Sequence, residues 1–492
     1  MASSAARLSP ASTPVTNRPS SSAAASGPIR RVAVVRKGTM ANAQRARAAG
    51  AVGTSALRRV HHRWSDTSRT EAGPLMTVAG GERRGQSIVT TAAAASSVPA
   101  QVRGGDTGES AAIINTIKAI FGAGGFALPW AFAQGGTLLV STCLAFSCVF
   151  ALEALKMLVK AQDVLVEGKV VAGQSEVQTY AGLTRAAVGP AGDVLCKVLN
   201  VVTCFGITVS YLIFVSDTAI SMLPKASAAA FTTAKMITIT APLWVALSWL
   251  RSFKGVNLIS LLGTMSVALG MTWVMVVALS NPLQIAAIPT ANPAAFSGFF
   301  GTVAFLFFIH FTLFPIQEAM PDPKKFVPAV SKAFYFSMVV SCAFGIIGAF
   351  GFGPEVKSVV ITMLEGAAGT AVKALLCVNL LFTFPLMARS CLVILEEAAR
   401  GSAAALSTPL SLGIRSSFVI AAALLACNVP NFGTVLGLVG GVCCCAMTLA
   451  MPPVILYKSM KKANVPVEGF QMAKIGLVCA TGLVCMVLSV VL

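Results

Sequence analysis

Two short stretches carry the residues whose types and spacing can do chemistry. The first, AIINTIKAIFGAGGFALPWAFAQGG, sets Gly122, Gly124, Gly125 and then Pro129 in the middle of an apolar run. In a helix interior each glycine costs about 1 kcal/mol and a proline about 3 kcal/mol, so an unwound stretch is predicted there. Backbone groups released in hydrocarbon need partners, and they are tolerated where they line a water-filled cavity or a bound molecule. The N–H groups that open one half-helix can then meet an anion, and the carbonyls that close another can meet a cation. The competing reading is a close helix contact built on small residues. The second stretch, FSGFFGTVAFLFFIHFTLFPIQEAMPDPKKF, has His310 in mid-span and Pro315 just beyond it, about 185 residues after the first break when counted from Gly125 to His310. An imidazole that titrates near neutral pH suits a proton carrier, and a neutral hydrogen-bonding spacer is the other use of such a residue.

Enzyme chemistry finds little material. The only histidines are His61, His62 and His310, and all 13 cysteines follow residue 140 with no CxxC pair. No cluster supplies a nucleophile, a base and an orienting partner together, and no metal constellation is expected. Lys118, four residues before Gly122, is a charge inside an apolar span, where a central position costs about 2.5–3.5 kcal/mol. Six residues from the expected helix start at about 1.5 Å each, it lies within snorkelling reach of one surface. Asp193 and Lys197, spaced i,i+4, read as a helical ion pair.

The elements that must position these residues are membrane helices. Of 492 residues 55% are apolar and 11% charged, against about 25% charged in soluble domains. With about 20 apolar residues needed per crossing, eleven segments qualify: 112–134, 137–158, 192–220, 235–250, 257–279, 297–317, 329–352, 370–394, 413–428, 431–457 and 470–492. The connections on one face carry fourteen Lys and Arg, from Lys156 to Lys462, and the other face carries Lys225, Lys235, Lys357 and Lys373. By the positive-inside bias the N-terminus lies inside and the C-terminus outside.

Of the 37 basic and 18 acidic residues, 14 and 3 fall in the first hundred, so most of the net charge belongs to the leader. Residues 1–105, rich in Ala, Ser and Arg and poor in large apolar groups, read as a disordered tail, with residues 106–492 as the membrane domain. An acid-poor, Ser- and Arg-rich leader with Pro10, Pro14 and Pro19 has the composition of a plastid transit peptide. A plastid envelope is the expected location, with a vacuolar or plasma membrane as the alternative. The leader lacks the interleaved aromatics of a nucleic-acid binder.

Five ordered stretches resemble the amino acid/auxin permease family: NTIKAIFGAGGFALPWAFAQGG, GPAGDVLCKVLNVVTCFGITVSYLIF, GTVAFLFFIHFTLFPIQEAMPDPKKF, FTFPLMARSCLVILEE and NVPNFGTVLGLVGGVCCCAMTLAMPPVILYK. The resemblance covers about residues 108–492. It implies an all-α polytopic fold of the bacterial leucine transporter type, with two inverted five-helix repeats, an eleventh helix, and breaks in helices 1 and 6. It further implies that a substrate carboxylate meets the backbone around Gly122, Ala123, Gly124 and Gly125, and that its amine meets carbonyls near Ala304 and Phe305. Tyr211 would close over the substrate, Thr383 would lie near a coupling ion, and His310 and Lys118 would couple or gate. Phe308 and Ile309 depart from the family, which commonly has a small residue or glutamate followed by glycine, and imply a smaller pocket or a stiffer break. The activity implied is secondary active transport of neutral amino acids by alternating access, driven by protons without a bound cofactor. Sodium coupling, another small carboxylate cargo, or a non-transporting amino acid sensor on the same fold are the alternatives. The expected partners are an amino acid and the lipid bilayer, with no nucleic acid and no obligate protein partner.

Overall fold

A computed structural model describes residues 108–250, 256–401, 406–429 and 431–491. The leader expected over residues 1–105 lies outside the described residues. Those described are helical, with no strand among them. In chain order the helices are α1 (Glu109–Ile120), α2 (Leu128–Gly135), α3 (Thr137–Glu167), α4 (Tyr180–Val188), α5 (Pro190–Met222), α6 (Lys225–Ala228), α7 (Thr233–Ser248) and α8 (Val256–Ser280). They continue with α9 (Phe296–Leu306), α10 (His310–Glu318), α11 (Phe326–Phe352), α12 (Gly366–Arg400), α13 (Thr408–Asn428), α14 (Phe432–Leu438), α15 (Met451–Lys462) and α16 (Gly469–Val491).

Among the described residues nine helices are long and apolar enough to cross a membrane, ten if the bent pair Glu109–Ile120 and Ala123–Gly135 is one span. The segment expected at 235–250 forms α7, whose 16 residues span about 24 Å at 1.5 Å each, short of a hydrocarbon core about 30 Å thick. Two interrupted spans, α1–α2 and α9–α10, each open a run of helices, and the second lies deep in the bundle. In its most apolar window 83% of residues are buried, against 28% for α16, which sits at the periphery with its apolar face outward.

Small residues let these helices approach closely, as packing in lipid requires. A Cβ on Gly301 of α9 would stand 1.8 Å from the carbonyl oxygen of Gly437, and one on Gly440 would stand 1.8 Å from the carbonyl oxygen of Gly301. The partner backbone is locally widened into π-helix over Val439–Cys444 and Ala446–Ala450. One carbonyl in that widened stretch, Met447, accepts a 2.7 Å hydrogen bond from the Tyr180 hydroxyl of α4. Far from α1, the loop before α9 clips onto the α2–α3 corner: Leu138 N–H donates to Thr290 O at 2.9 Å and Asn292 N–H to Gly135 O at 2.8 Å. Gly136 makes that corner with φ +89, and any side chain there would meet the backbone of Thr290 and Ala291 at 2.7 Å.

Charged groups pair near helix ends. Arg415 of α13 binds Glu396 of α12 through Nε at 2.7 Å and Nη2 at 3.2 Å, and its Nη1 donates to Ser248 O of α7 at 2.9 Å. One guanidinium thus fastens three helices, and its geometry satisfies the donors that burial would otherwise leave unmet. Lys332 at the start of α11 pairs with Glu109 at the start of α1 at 2.5 Å, and Glu153 of α3 pairs with Lys156 at 2.7 Å and also with Lys474 of α16. Asp193 and Lys197 form the expected i,i+4 pair at 3.1 Å.

Candidate functional site

The first interruption follows from the glycines. Helix α1 ends at Ile120, Phe121 N–H reaches back to Ile117 O at 3.0 Å, and Gly122 is extended with φ −114 and ψ −166. A 3₁₀ turn, Ala123–Ala127, then leads into α2, and the two halves meet at 52°. Ala123 and Gly124 open the second half, where N–H groups have no acceptor within a helix. Pro129 sits in the first turn of α2, a place that needs no N–H from it.

The second interruption is at Phe307–Ile309, not at His310 or Pro315. Phe308 N–H bonds to Phe305 O at 3.2 Å and Ile309 N–H to Phe307 O at 3.0 Å, after which His310 begins α10. Pro315 is held inside α10. The break ends the helical ladder at the last turn of α9, where Phe305 O is taken by the turn itself and the carbonyls that close the helix, Ala304 among them, face the interruption.

The two interruptions touch. A Cβ on Gly124 would lie 2.8 Å from the ring of Phe305, so only the bare glycine lets that ring lie across the break. Around them is a cavity of about 260 Å³, which gathers Lys118, Gly122, Ala123, Gly124, Gly125, Tyr211, Phe305, Phe308, Ile309 and Thr383. Ala304 is buried just behind this lining and is not part of it. His310 also stands outside, turned toward α3, with Nε2 2.9 Å from the carbonyl oxygen of Ala151 and Nδ1 buried without a hydrogen-bond partner.

The cavity runs along α1 to Asn115 and Lys118, and at Phe432 it borders a cluster of buried phenylalanines. Phe126 meets Phe214 at 6.1 Å and Phe344 at 6.2 Å between centroids, and Phe214 meets Phe432 at 5.4 Å. All four rings are essentially inaccessible. Lys118 is the one formally charged residue among the described lining, in the last turn of α1, where a cation complements the helix dipole.

Sequence reasoning missed Asn379, which lines the cavity one turn before Thr383 on α12, and Ser210 beside Tyr211 on α5. An asparagine and a threonine spaced i,i+4 in an apolar span are a readable signal, since polar groups in membrane helices face the bundle interior. Chemically, the cavity offers free amides at one break, carbonyls at the other, a few polar side chains between, and an aromatic border. That set matches the two ends of a zwitterion.

The family model described as "Transmembrane amino acid transporter protein" matches residues 107–492. The amino acid transporter AVT3B of Arabidopsis thaliana is 26% identical over 351 residues, 69% of this chain and 82% of that protein. The vacuolar amino acid transporter 3 of Saccharomyces cerevisiae is 24% identical over 368 residues, 71% of this chain and 51% of its own. A solved structure, that of MhsT in complex with L-phenylalanine, aligns with a TM-score of 0.45 at 11% identity, covering 77% of this chain and 97% of its own. With the match running from just before α1 through the last helix, this chain belongs to the transmembrane amino acid transporter protein family.

Proposed function

We propose that this chain carries neutral amino acids across a membrane by alternating access, coupled to a proton gradient. The observation that carries the reading is the cavity formed where the two interrupted spans meet, lined by Gly122–Gly124 on one side and Phe305 on the other. The substrate carboxylate would be met by the N–H groups of Ala123 and Gly124, and its amine by the carbonyls ending α9. Both sets are polar backbone that a continuous helix would have consumed. The conformation described has the cluster of Phe126, Phe214 and Phe432 on the α2 side, with Lys118 standing at the other end. Tyr211 closes over the cargo and Thr383 stands where a coupling ion would approach the break. Without a carboxylate among the described lining residues, a cationic amino acid would find Lys118 and no counter-charge.

His310 fits a positional role. If Nε2 carries the proton and donates to Ala151 O, Nδ1 is a bare acceptor with nothing to hold a second proton against. The imidazole then ties the start of α10 to α3 and couples the break to its neighbour.

A second reading, a sensor that binds without transport, is favoured by Phe308 and Ile309. Their side chains fill the break and are 7% and 4% exposed, and Phe308 lies 5.0 Å from Phe311 between ring centroids. Sodium coupling, and a small carboxylate other than an amino acid as cargo, are the remaining variants of the transport reading. The leader composition supports a plastid envelope, and the vacuolar name of the yeast relative supports the vacuole. A fluorescent fusion of residues 1–100 separates them, with plastid import expected and diffuse cytosolic signal overturning the transit peptide.

The test of transport is uptake of labelled amino acids into proteoliposomes of the full chain, with and without an imposed pH gradient and with sodium present or absent. Concentrative uptake that collapses with a protonophore is expected. Uptake that follows sodium alone overturns the proton coupling, and binding without uptake favours the sensor.

A further inference from the structure

We propose that Asn379 determines the specificity of the cavity, with its carboxamide NH₂ donating a hydrogen bond to the polar, uncharged side chain of the carried amino acid. The proposal rests on the reading that this cavity takes an amino acid.

The argument is one of donors. Of the five hydroxyl residues on the wall, Tyr211 is assigned to closing over the cargo, Thr264 has an interaction of its own, and three have committed their single O–H to helix backbone: Ser210 donates to Gly206 O at 3.0 Å, Thr312 to Ile309 O at 2.8 Å and Thr383 to Asn379 O at 2.8 Å. They present lone pairs to the cavity and cannot also donate to a ligand. Asn379 differs. Its Oδ1 lies 3.2 Å from the Thr383 hydroxyl, which shares its hydrogen with it, and 2.4 Å from where a Cβ on Gly263 of α8 would stand. Its Nδ2 lies farther from that point, at 3.7 Å.

Gly263 is thus a slot that receives the carboxamide oxygen, and Thr383 fixes its orientation. The amide nitrogen is left as a double donor on a wall shared with both interrupted spans. A ligand hydroxyl or carboxamide is the complement of this wall: it accepts from Asn379 and donates to the lone pairs of Ser210 or Thr383. An apolar side chain would leave the carboxamide unpaired in a mostly apolar cavity, which disfavours it by desolvation. A cationic one would meet Lys118 with no carboxylate among the described lining. Serine, threonine, asparagine and glutamine are the class that fits.

The experiment is ligand-induced thermal shift of the full chain in detergent, titrated with serine and with leucine, for the wild type, Asn379→Ala, Asn379→Leu and Gly263→Ala. The serine-to-leucine affinity ratio is expected to fall by about fivefold or more in either folded Asn379 variant, the scale of one lost neutral hydrogen bond. Gly263→Ala displaces the carboxamide and is expected to lower the same ratio. A smaller fall in both Asn379 variants, or a wild-type ratio in Gly263→Ala, overturns the role of Asn379 and leaves the amino acid site standing. A wild-type protein that binds neither ligand nor any other amino acid overturns both. A lowered ratio in a protein that shows no uptake supports the role of Asn379 and overturns transport alone.

Discussion

Single atoms decide the site. At Gly122 an added Cβ would meet nothing within 4 Å, whereas at Gly124 it would meet the Phe305 ring at 2.8 Å. The two glycines of one motif therefore have different reasons to be glycine. Gly124→Val is expected to abolish uptake while leaving membrane insertion intact, since the branched side chain must displace the ring that joins the two breaks, and Gly122→Ala is expected to reduce uptake far less. Equal loss in both variants, measured as initial uptake rate at matched protein, would contradict the assignment. For His310 the single contact to Ala151 O is the guide. His310→Gln, which can keep a donor to that carbonyl, is expected to raise KM a few-fold with the dependence on the proton gradient retained. Loss of that dependence would show that the imidazole carries charge.

At the level of elements, close approach of α9 to the π-helical stretch is the structural commitment that most limits variation. Gly301→Ala is expected to lower stability by about 1–3 kcal/mol, the range for overpacking, because its Cβ would fall 1.8 Å from the Gly437 carbonyl oxygen. Gly298, one turn earlier with open space beside it, is the control: Gly298→Ala should melt like the wild type in detergent. A Gly301→Ala protein with an unchanged melting temperature would contradict the described contact. Much of the element plan was legible because hydrocarbon demands long apolar runs, and the break at Gly122 was legible because glycine and proline act on local backbone. For the second break the residue types pointed to His310 and Pro315, whereas the family resemblance set it at Phe308 and Ile309. It falls on Phe307–Ile309, apolar residues with no intrinsic tendency to unwind, and Phe307 is stacked on Phe334 of α11 at 5.3 Å between ring centroids, a contact that no local window of sequence contains. Likewise α4, tied by Tyr180 to Met447 O, rests on a contact 267 residues apart that no window of sequence contains. The Gly301 and Gly437 pairing is invisible for the same reason.

For the molecule as a whole, the proposed carrier reading rests on how the helices share the work around the cavity. On that reading the two interrupted spans would supply anion and cation partners from backbone and the wall of α5, α8 and α12 would read the side chain, while Arg415 with Glu396 holds α7, α12 and α13 together. In the proposed mechanism, alternating access would part the phenylalanine cluster on the α2 side while the other end closes around Lys118. The central claim is that the amino acid sits between the breaks. It is tested most directly by cryo-electron microscopy of the full chain in lipid nanodiscs at a saturating concentration of an amino acid that it takes up. The account predicts ligand density in contact with Gly122–Gly124 and with the last turn of α9, beside Tyr211 and Asn379. An empty cavity with ligand density elsewhere in the bundle would contradict it.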